Sequence, residues 1–160
     1  MATMQMTAEP GVPQVVITTE HDAPRDLLFR AYTEPDLLVK WLGPRRLAMT
    51  VGRLDARDGG TWRYVYQDAD GREYAFHGVY HGPPSPDRIV QTFEFEGYPG
   101  HVCLETITFE DNGQTTVVRQ SSIFQSVEDR DGELQSGMEQ GARDSAERLD
   151  ELIARLVLVS

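Results

Sequence analysis

Hydrophobic and polar residues alternate with a period of two from about residue 46 to residue 123. This alternation is typical of strands that bury one face. Turn signals divide the stretch: Asp70-Gly71 and Asn112-Gly113 are typical of tight hairpins, and Pro-Pro-Ser-Pro-Asp at residues 83–87 predicts a rigid turn. Because short turns join antiparallel neighbours, the pattern predicts a meander of about six antiparallel strands.

Shorter elements precede the meander. The β-branched run at residues 15–19 predicts a first strand. A helix is predicted over residues 27–32, and Pro35 can stand in the first turn of a second one. This second helix, in the segment "TEPDLLVKWLGP", ends at Gly43-Pro44. Trp41 lies close to its end and is either ordinary core or the plug of a pocket.

The end of the chain has a helical period. Apolar residues recur at steps of three and four between residues 134 and 156, and Ser126 or Asp131 can cap the helix. The predicted helix has about 24 residues and a length of roughly 36 Å. Gly137 and Gly141 lie on its apolar side, where each costs roughly 1 kcal/mol relative to alanine. Either the helix approaches the sheet closely there, or the missing side chains leave room for a ligand.

The order of elements predicts an α+β fold. A twisted antiparallel sheet of about six to seven strands, with two short helices after the first strand, is expected to wrap around the long C-terminal helix. A gap between sheet and helix would form a cavity with the short helices at one end. Residues 1–12 are small, polar and rich in Pro and Gly, so we expect a flexible tail before one domain at residues 13–160.

Charge and composition exclude several classes of function. The net charge of −11 opposes binding to nucleic acids and to anionic lipids. The single cysteine, Cys103, excludes an intrachain disulfide and a cysteine-based metal site. The N-terminal residues lack the basic and apolar regions of a secretory signal, and no run approaches 18 apolar residues. We therefore expect a cytoplasmic protein without membrane insertion.

Five segments in this order resemble the SRPBCC, or START-like, helix-grip superfamily, and most closely its branch of activators of the heat-shock-protein-90 ATPase. They are "TEPDLLVKWLGP", "DARDGGTWRY", "DADGREYAFHGVYHGPPSPDRIVQTFEF", "TITFEDNGQTTVVR" and "SGMEQGARDSAERLDELI". The resemblance covers residues 13–156. It implies the helix-grip fold and a cavity for lipid-like, hormone-like or polyketide-like molecules.

The sequence departs from the family pattern at both ends of the expected cavity. The family usually has two tryptophans before Gly-Pro, whereas this chain has Trp41-Leu42. The family often has Gly-Trp on the last helix, where this chain has Gly137-Met138. Both changes reshape the pocket, so the identity of the ligand does not carry over.

Aromatic residues are the strongest candidates for the lining of a cavity. Each offers a large apolar surface, and Tyr and Trp also carry one polar group. The alternative is plain sheet core. Arg119 can point inward, with Glu105 as its partner, or lie at the surface. The candidate ligand-binding residues are Trp41, Met49, Trp62, Tyr64, Phe76, Phe93, Arg119, Met138 and Gly141.

The sequence gives no sign of a metal site, a cofactor or a catalytic motif. His77 and His81 lie four apart on a predicted strand, so their side chains are roughly 13 Å apart and do not form a chelate. The chain has no Gly-x-Ser-x-Gly motif, no P-loop and no Rossmann fingerprint. We therefore expect no metal, no cofactor and binding rather than catalysis.

Three functions compete at this point. The first is binding of a hydrophobic small molecule in the cavity between sheet and helix. The second is a protein-interaction module that regulates a chaperone, as the name of the branch implies. The third is a cyclase-, dehydratase- or hydrolase-like enzyme in which an inward polar residue such as His77 or Arg119 is essential. A homodimer is left open.

Overall fold

The computed structural model describes residues 3–159, which form one antiparallel sheet of eight strands and four helices. The elements in chain order are β1 (Thr3–Thr7), β2 (Gln14–His21), α1 (Arg25–Thr33), α2 (Pro35–Leu38), β3 (Ala48–Leu54), β4 (Thr61–Gln67), β5 (Glu73–Val79), β6 (Arg88–Phe95), β7 (Val102–Asp111), β8 (Thr116–Ile123), α3 (Val127–Gln135) and α4 (Met138–Val159).

The sheet has the strand order β1-β2-β8-β7-β6-β5-β4-β3. Strands β3 to β8 form the predicted six-stranded meander. Strand β2 returns to the far side and pairs with β8 along its whole length, from Gln14 opposite Ile123 to His21 opposite Thr116. The antiparallel sheet and C-terminal helix are as the sequence predicts, but eight strands replace the predicted six to seven.

The additional strand is β1, which lies where the sequence predicts a flexible tail. Residues 3–7 pair with β2 from Thr3 opposite Glu20 to Thr7 opposite Val16. The tail prediction is therefore wrong for these residues. Met4 and Met6 alternate with polar residues, and both are half-buried. Too short to stand alone, this alternation becomes a strand because β2 supplies the backbone partners.

The turns form where glycine was expected to allow them. Gly71 between β4 and β5 and Gly113 between β7 and β8 both have a positive φ, of 84° and 87°. Such angles suit glycine because it has no Cβ to clash with the backbone. Both hairpin predictions are thus confirmed.

The long C-terminal helix is divided in two. Helix α3 begins after Ser126, whose Oγ accepts a hydrogen bond of 3.0 Å from the backbone N–H of Asp129, as the capping prediction required. The helix ends at Gln135, and Gly137 has a φ of 96°, which an α-helix cannot contain. The prediction of one continuous helix is wrong. The apolar residues keep their helical spacing on both sides of Gly137, so the spacing does not reveal the break in the backbone there.

The main core lies between the inner face of the sheet and helices α1, α2 and α4. Leu149, Leu152 and Ile153 of α4 are almost fully buried in it, together with Leu28 of α1 and Trp62 of β4. These contacts hold α4 over one part of the sheet and leave α3 over another. None of the helices in residues 3–159 is long and apolar enough to cross a membrane.

Candidate functional site

A cavity of about 1320 Å³ lies between the inner face of the sheet and the helices. Side chains from six strands, β2 and β4 to β8, line it on the sheet side. Residues from the end of α2 and the loop after it, from α3 and from the first half of α4 line it on the helical side. On α4, residues from Gly141 to Leu149 line this space, whereas Leu152 and Ile153 further along the helix are buried in the core.

Aromatic rings form one region of the lining. Tyr66 lies edge-on to Phe76, with ring centres 5.6 Å apart, and Phe76 lies beside Phe93 at 5.1 Å. Tyr64 and Trp41 also line the cavity. Of the nine candidate residues, six line the cavity: Trp41, Tyr64, Phe76, Phe93, Met138 and Gly141.

Trp41 belongs both to the core and to the lining of the cavity. Its ring is almost fully buried and lies 4.6 Å from the ring of Tyr32. Its Nε1 donates a hydrogen bond of 2.9 Å to the carbonyl oxygen of Ala31. That oxygen would normally accept from the residue four positions later, but this residue is Pro35, which has no N–H. Trp41 therefore fastens the α2 end of the cavity to the last turn of α1.

Three candidates lie outside the lining, and two of them, Trp62 and Met49, are part of the core or pack against it. Trp62 is fully buried beneath Tyr64, with ring centres 4.3 Å apart, and is core rather than wall. Its Nε1 has no hydrogen-bond partner among the described residues. Met49 packs against the core from β3, an edge strand whose register shifts between Val51 and Arg53. Alternation alone could not tell a core position from a cavity position on the same face.

Arg119 is on the wrong face of the sheet. The inner positions of β8 are Val118, Gln120 and Ser122, so Arg119 between them is exposed on the outer side. Of the two positions considered for Arg119, inward beside Glu105 or at the surface, the structure has the surface one, so its place among the candidate ligand-binding residues is wrong. Its expected place beside Glu105 is taken by Gln120.

Glu105 is the central polar residue of the cavity floor. It is buried on β7, and its carboxylate accepts hydrogen bonds from Gln91 Nε2 at 2.9 Å and from Gln120 Nε2 at 3.0 Å. Gln91 and Gln120 stand on the two neighbouring strands, β6 and β8. Ser122 lies beside them, with its Oγ 3.3 Å from Gln120 Nε2. Neutral groups therefore hold the carboxylate in place without supplying a positive charge.

Burial controls the acid–base properties of this region. It raises the pKa of Glu105 to about 7, against the lowering effect of Gln91, while the nearby Glu133 adds to the rise. Burial likewise raises the pKa of Glu133 on α3. The pKa values of Tyr64 and Tyr66 are raised by burial as well, so both phenols are neutral hydrogen-bonding groups at neutral pH.

A second polar group lies at the β2 side of the cavity. Asp150 of α4 approaches His21 Nδ1 at 2.7 Å, and His21 Nε2 lies 2.9 Å from Thr19 Oγ1. Because a carboxylate only accepts, Nδ1 donates to Asp150, and in the neutral imidazole Nε2 accepts from the Thr19 hydroxyl. Thr19 and His21 both line the cavity.

The other histidines lie elsewhere. His77 is on the outer face, where its Nδ1 is 3.0 Å from Glu96, and a hydrogen bond from Arg63 helps to lower the pKa of Glu96 to about 2. His101 lies at the rim, where its Nδ1 is 2.9 Å from Asp129 of α3. Among residues 3–159, no three His, Cys, Asp or Glu side chains are grouped as a metal site requires.

The first turns of α4 and the Gly43-Pro44 loop close the cavity on its helical side. Met138 is the first residue of α4, and Gly141 lies one turn later, where a Cβ would be 3.6 Å from Pro44 Cγ. The backbone N–H of Gly43 donates to Ser145 Oγ at 2.8 Å, which fastens the Gly43-Pro44 loop to α4. At Gly141 the helix therefore comes close to this loop rather than to the sheet.

Sequence reasoning named Glu105 only as a possible partner of Arg119 and missed the other polar residues of the site. Glu105 occupies the inner series of β7 with Cys103, Ile107 and Phe109, so a carboxylate among apolar residues was a visible signal. Thr19 and His21 continue the inner face of β2 in the same way. Gln91 and Gln120 gave no such signal, because their convergence on Glu105 depends on strand pairing.

Comparison with known proteins identifies the relatives of this chain. A family model described as activator of Hsp90 ATPase homolog 1-like protein matches residues 22–154. Similar solved structures include protein Ms6760 from Mycobacterium smegmatis, which is 24% identical over 95% of this chain and 96% of that one, with a TM-score of 0.85. A comparison with curated proteins found no match.

Two further solved structures are similar to this chain over most of its length. A protein from Rhodobacter sphaeroides is 23% identical over 96% of this chain and 99% of its own length, with a TM-score of 0.87. Protein CV1439 from Chromobacterium violaceum is 25% identical over 88% and 96%, with a TM-score of 0.78. The family match includes Trp41, Glu105 and strands β3 to β8, and the similar structures show that the fold recurs in other bacterial proteins.

Proposed function

The chain belongs to the family of activator of Hsp90 ATPase homolog 1-like proteins within the helix-grip superfamily, and from this membership and the cavity we propose that it binds a hydrophobic small molecule. The observation that carries the proposal is a cavity of about 1320 Å³ with aromatic walls and a few polar groups on its floor. Small-molecule sites combine an apolar lining with a small number of placed polar groups in this way.

The volume bears on the size of the ligand. Pockets for small molecules commonly measure about 300–1000 Å³, and this cavity is larger. It has room for a molecule of several fused rings or a long chain. Phe76, Phe93 and Tyr66 would cover the apolar body, while Glu105 and its two glutamine neighbours would meet a polar group of the ligand.

The neutral fluorescent probe 1-pyrenemethanol tests this proposal, with native mass spectrometry of the freshly purified protein as a search for the natural ligand. We expect saturable binding of one probe per chain. Phe76→Ala should weaken binding by about threefold to tenfold, since one wall of the cavity is lost. Met49→Ala is the matched control, because Met49 is half-buried but lies outside the cavity lining.

The outcome of this experiment is decisive in both directions. Absence of saturable binding would overturn the proposal. So would equal weakening by Phe76→Ala and Met49→Ala, since the loss would then follow general destabilisation rather than contact with the probe.

A second candidate function is ester hydrolysis, favoured by the Asp150–His21–Thr19 series. It has the acid, base and hydroxyl order of a nucleophilic triad. In such a reaction Thr19 Oγ1 would bond to the ester carbonyl carbon while its proton passes to His21 Nε2. The bond to the leaving alkoxide would then break as His21 returns that proton, and water would release the acid from Thr19.

Hydrolysis of p-nitrophenyl butyrate tests the candidate. Thr19→Ser should retain activity, and Thr19→Val, which keeps the shape but removes the hydroxyl, should abolish it. A wild-type rate no faster than that of Thr19→Val would leave the series with a structural role only, namely holding α4 on β2.

A further inference from the structure

Two carboxyl groups of the cavity lining have no basic side chain as a partner. Glu105 is buried, Glu133 is half-buried, and both line the cavity. Across residues 3–159, neither carboxylate is hydrogen-bonded or ion-paired to a lysine, arginine or histidine side chain. A buried charge without a partner is costly, so Glu105 either takes up a proton, as its raised pKa shows, or keeps its charge by gaining a cationic partner.

The cationic residues of the lining are directed elsewhere. His21 is held by Asp150 and Thr19, and His101 is held by Asp129. Arg46 is exposed at the rim. No residue of the cavity is therefore placed to serve as the counter-ion of Glu105.

The hydrogen bonds of Glu105 show that the carboxylate is positioned rather than neutralised. Gln91 and Gln120 donate to its two oxygens from opposite sides. The donors are uncharged amides, which fix the direction of the group but leave its charge in place. Aromatic rings of the same cavity, such as Tyr64, Phe76 and Phe93, offer faces that attract cations.

We propose that the ligand is a hydrophobic amine, whose ammonium group pairs with Glu105 while its apolar body lies against the aromatic wall. This inference rests on the proposed function and specifies the chemical class of the ligand. The ammonium would supply the missing counter-ion, and the amides of Gln91 and Gln120 would keep the carboxylate aimed at it.

The affinity for such an amine follows the ionisation of Glu105. The titratable groups coupled to Glu105 are Tyr32 of α1, Tyr64 and Tyr66 of β4, and Glu133 of α3, with Cys103 beside it on β7. Burial raises the pKa of the three phenols and the thiol, so these groups stay neutral near pH 7. Glu105 is then the member of this set with a pKa of about 7, while burial raises the pKa of Glu133 as well.

The test compares two probes that share one aromatic body: 1-pyrenemethylamine, which is cationic, and 1-pyrenemethanol, which is neutral. Near pH 8 we expect wild type to bind the amine at least about tenfold more tightly than the alcohol. Glu105→Gln should reduce this preference to about twofold or less. Glu110→Gln, on the same strand but exposed, changes the net charge equally and should keep the full preference.

The pH dependence gives an independent readout. Because Glu105 titrates near pH 7, the affinity of wild type for the amine should rise about tenfold between about pH 6 and about pH 8, whereas its affinity for the alcohol should not change. The same series in Glu105→Gln should be flat for both probes.

The results separate this inference from the proposed function. Equal binding of amine and alcohol by wild type, or a preference for the amine that survives in Glu105→Gln, would overturn the inference and leave small-molecule binding intact. Failure of both probes to bind would overturn the two together.

Discussion

His21 on β2 and Asp150 on α4 are joined by a hydrogen bond of 2.7 Å across 129 positions of the chain. His21 is almost fully buried, so this bond fixes the C-terminal helix to the N-terminal side of the sheet. Asp150→Ala would leave a buried ring nitrogen without its partner. We expect the free energy of unfolding to fall by about 1–3 kcal/mol.

Urea denaturation measures this loss, with Glu147→Ala as its control. Glu147 lies on the same helix, is exposed, and contacts Arg45 only at 3.8 Å. Its replacement should change stability by about 0.5 kcal/mol or less. If both variants lost equally little, the bond between His21 and Asp150 would contribute nothing to the attachment of α4.

Glu105 makes stability depend on pH. Its pKa is about 7 in the folded protein and near 4.5 in the unfolded chain, so between these values the folded state binds more protons. Stability from this group is therefore complete below about pH 4.5 and is lost as pH rises through about 7. A shift of this size corresponds to about 3 kcal/mol.

Glu105→Gln should remove this dependence and make the protein more stable than wild type near pH 8. Urea denaturation between about pH 5 and about pH 8 provides the measurement. Glu110→Gln should keep the wild-type slope. A slope in Glu105→Gln equal to that of wild type would show that other groups cause it.

Two tryptophans allow a matched comparison of their indole N–H groups. Trp41 Nε1 supplies the hydrogen bond that Pro35 cannot give to Ala31, whereas Trp62 Nε1 has no partner in the described part of the chain. Replacement by Phe removes the N–H in both cases. We expect Trp41→Phe to cost about 1 kcal/mol more than Trp62→Phe, and chemical denaturation of the two variants tests the difference. A larger loss in Trp62→Phe would contradict it.

Gly137 and Gly141 should respond to alanine with opposite signs. Gly137 has a φ of 96°, which an L-residue adopts at a cost of about 1–2 kcal/mol. Gly141 is helical, and its added Cβ would meet Pro44 at an ordinary contact distance. Gly137→Ala should therefore lower the melting temperature and Gly141→Ala should raise it, by up to about 1 kcal/mol in free energy. Shifts of the same sign would rule this out.

The order of elements could be predicted because each carries its own local pattern. The meander follows from alternation and turn glycines, and the capping of α3 follows from Ser126. The break at Gly137 and the strand β1 could not be predicted in the same way, since each depends on backbone geometry or on a partner strand. The spacing of apolar residues along a helix does not show where a single residue with positive φ ends it.

The site was predicted less fully than the fold. Tyr64, Phe76 and Phe93 line the cavity because side chains of a strand alternate between two faces, whereas Trp62 on the same face of β4 is core. Arg119 was a wrong candidate because its side chain lies on the outer face of β8, between the inner positions Val118 and Gln120. The cluster of Gln91, Glu105 and Gln120 needs three strands in register, which no single segment encodes. The chaperone partner, the homodimer and the cellular location stay predictions.

The pairing of β2 with β8 has a consequence for how the chain reaches this structure. Paired residues of the two strands are separated by about a hundred positions. The N-terminal hairpin of β1 and β2 is therefore synthesised long before its neighbour, and one edge of β2 stays open until β8 has been made. Such distant pairing slows folding, and an open edge invites association with other chains. Completion of β8 thus covers the open edge of β2 and leaves β1 and β3 as the edge strands of the sheet.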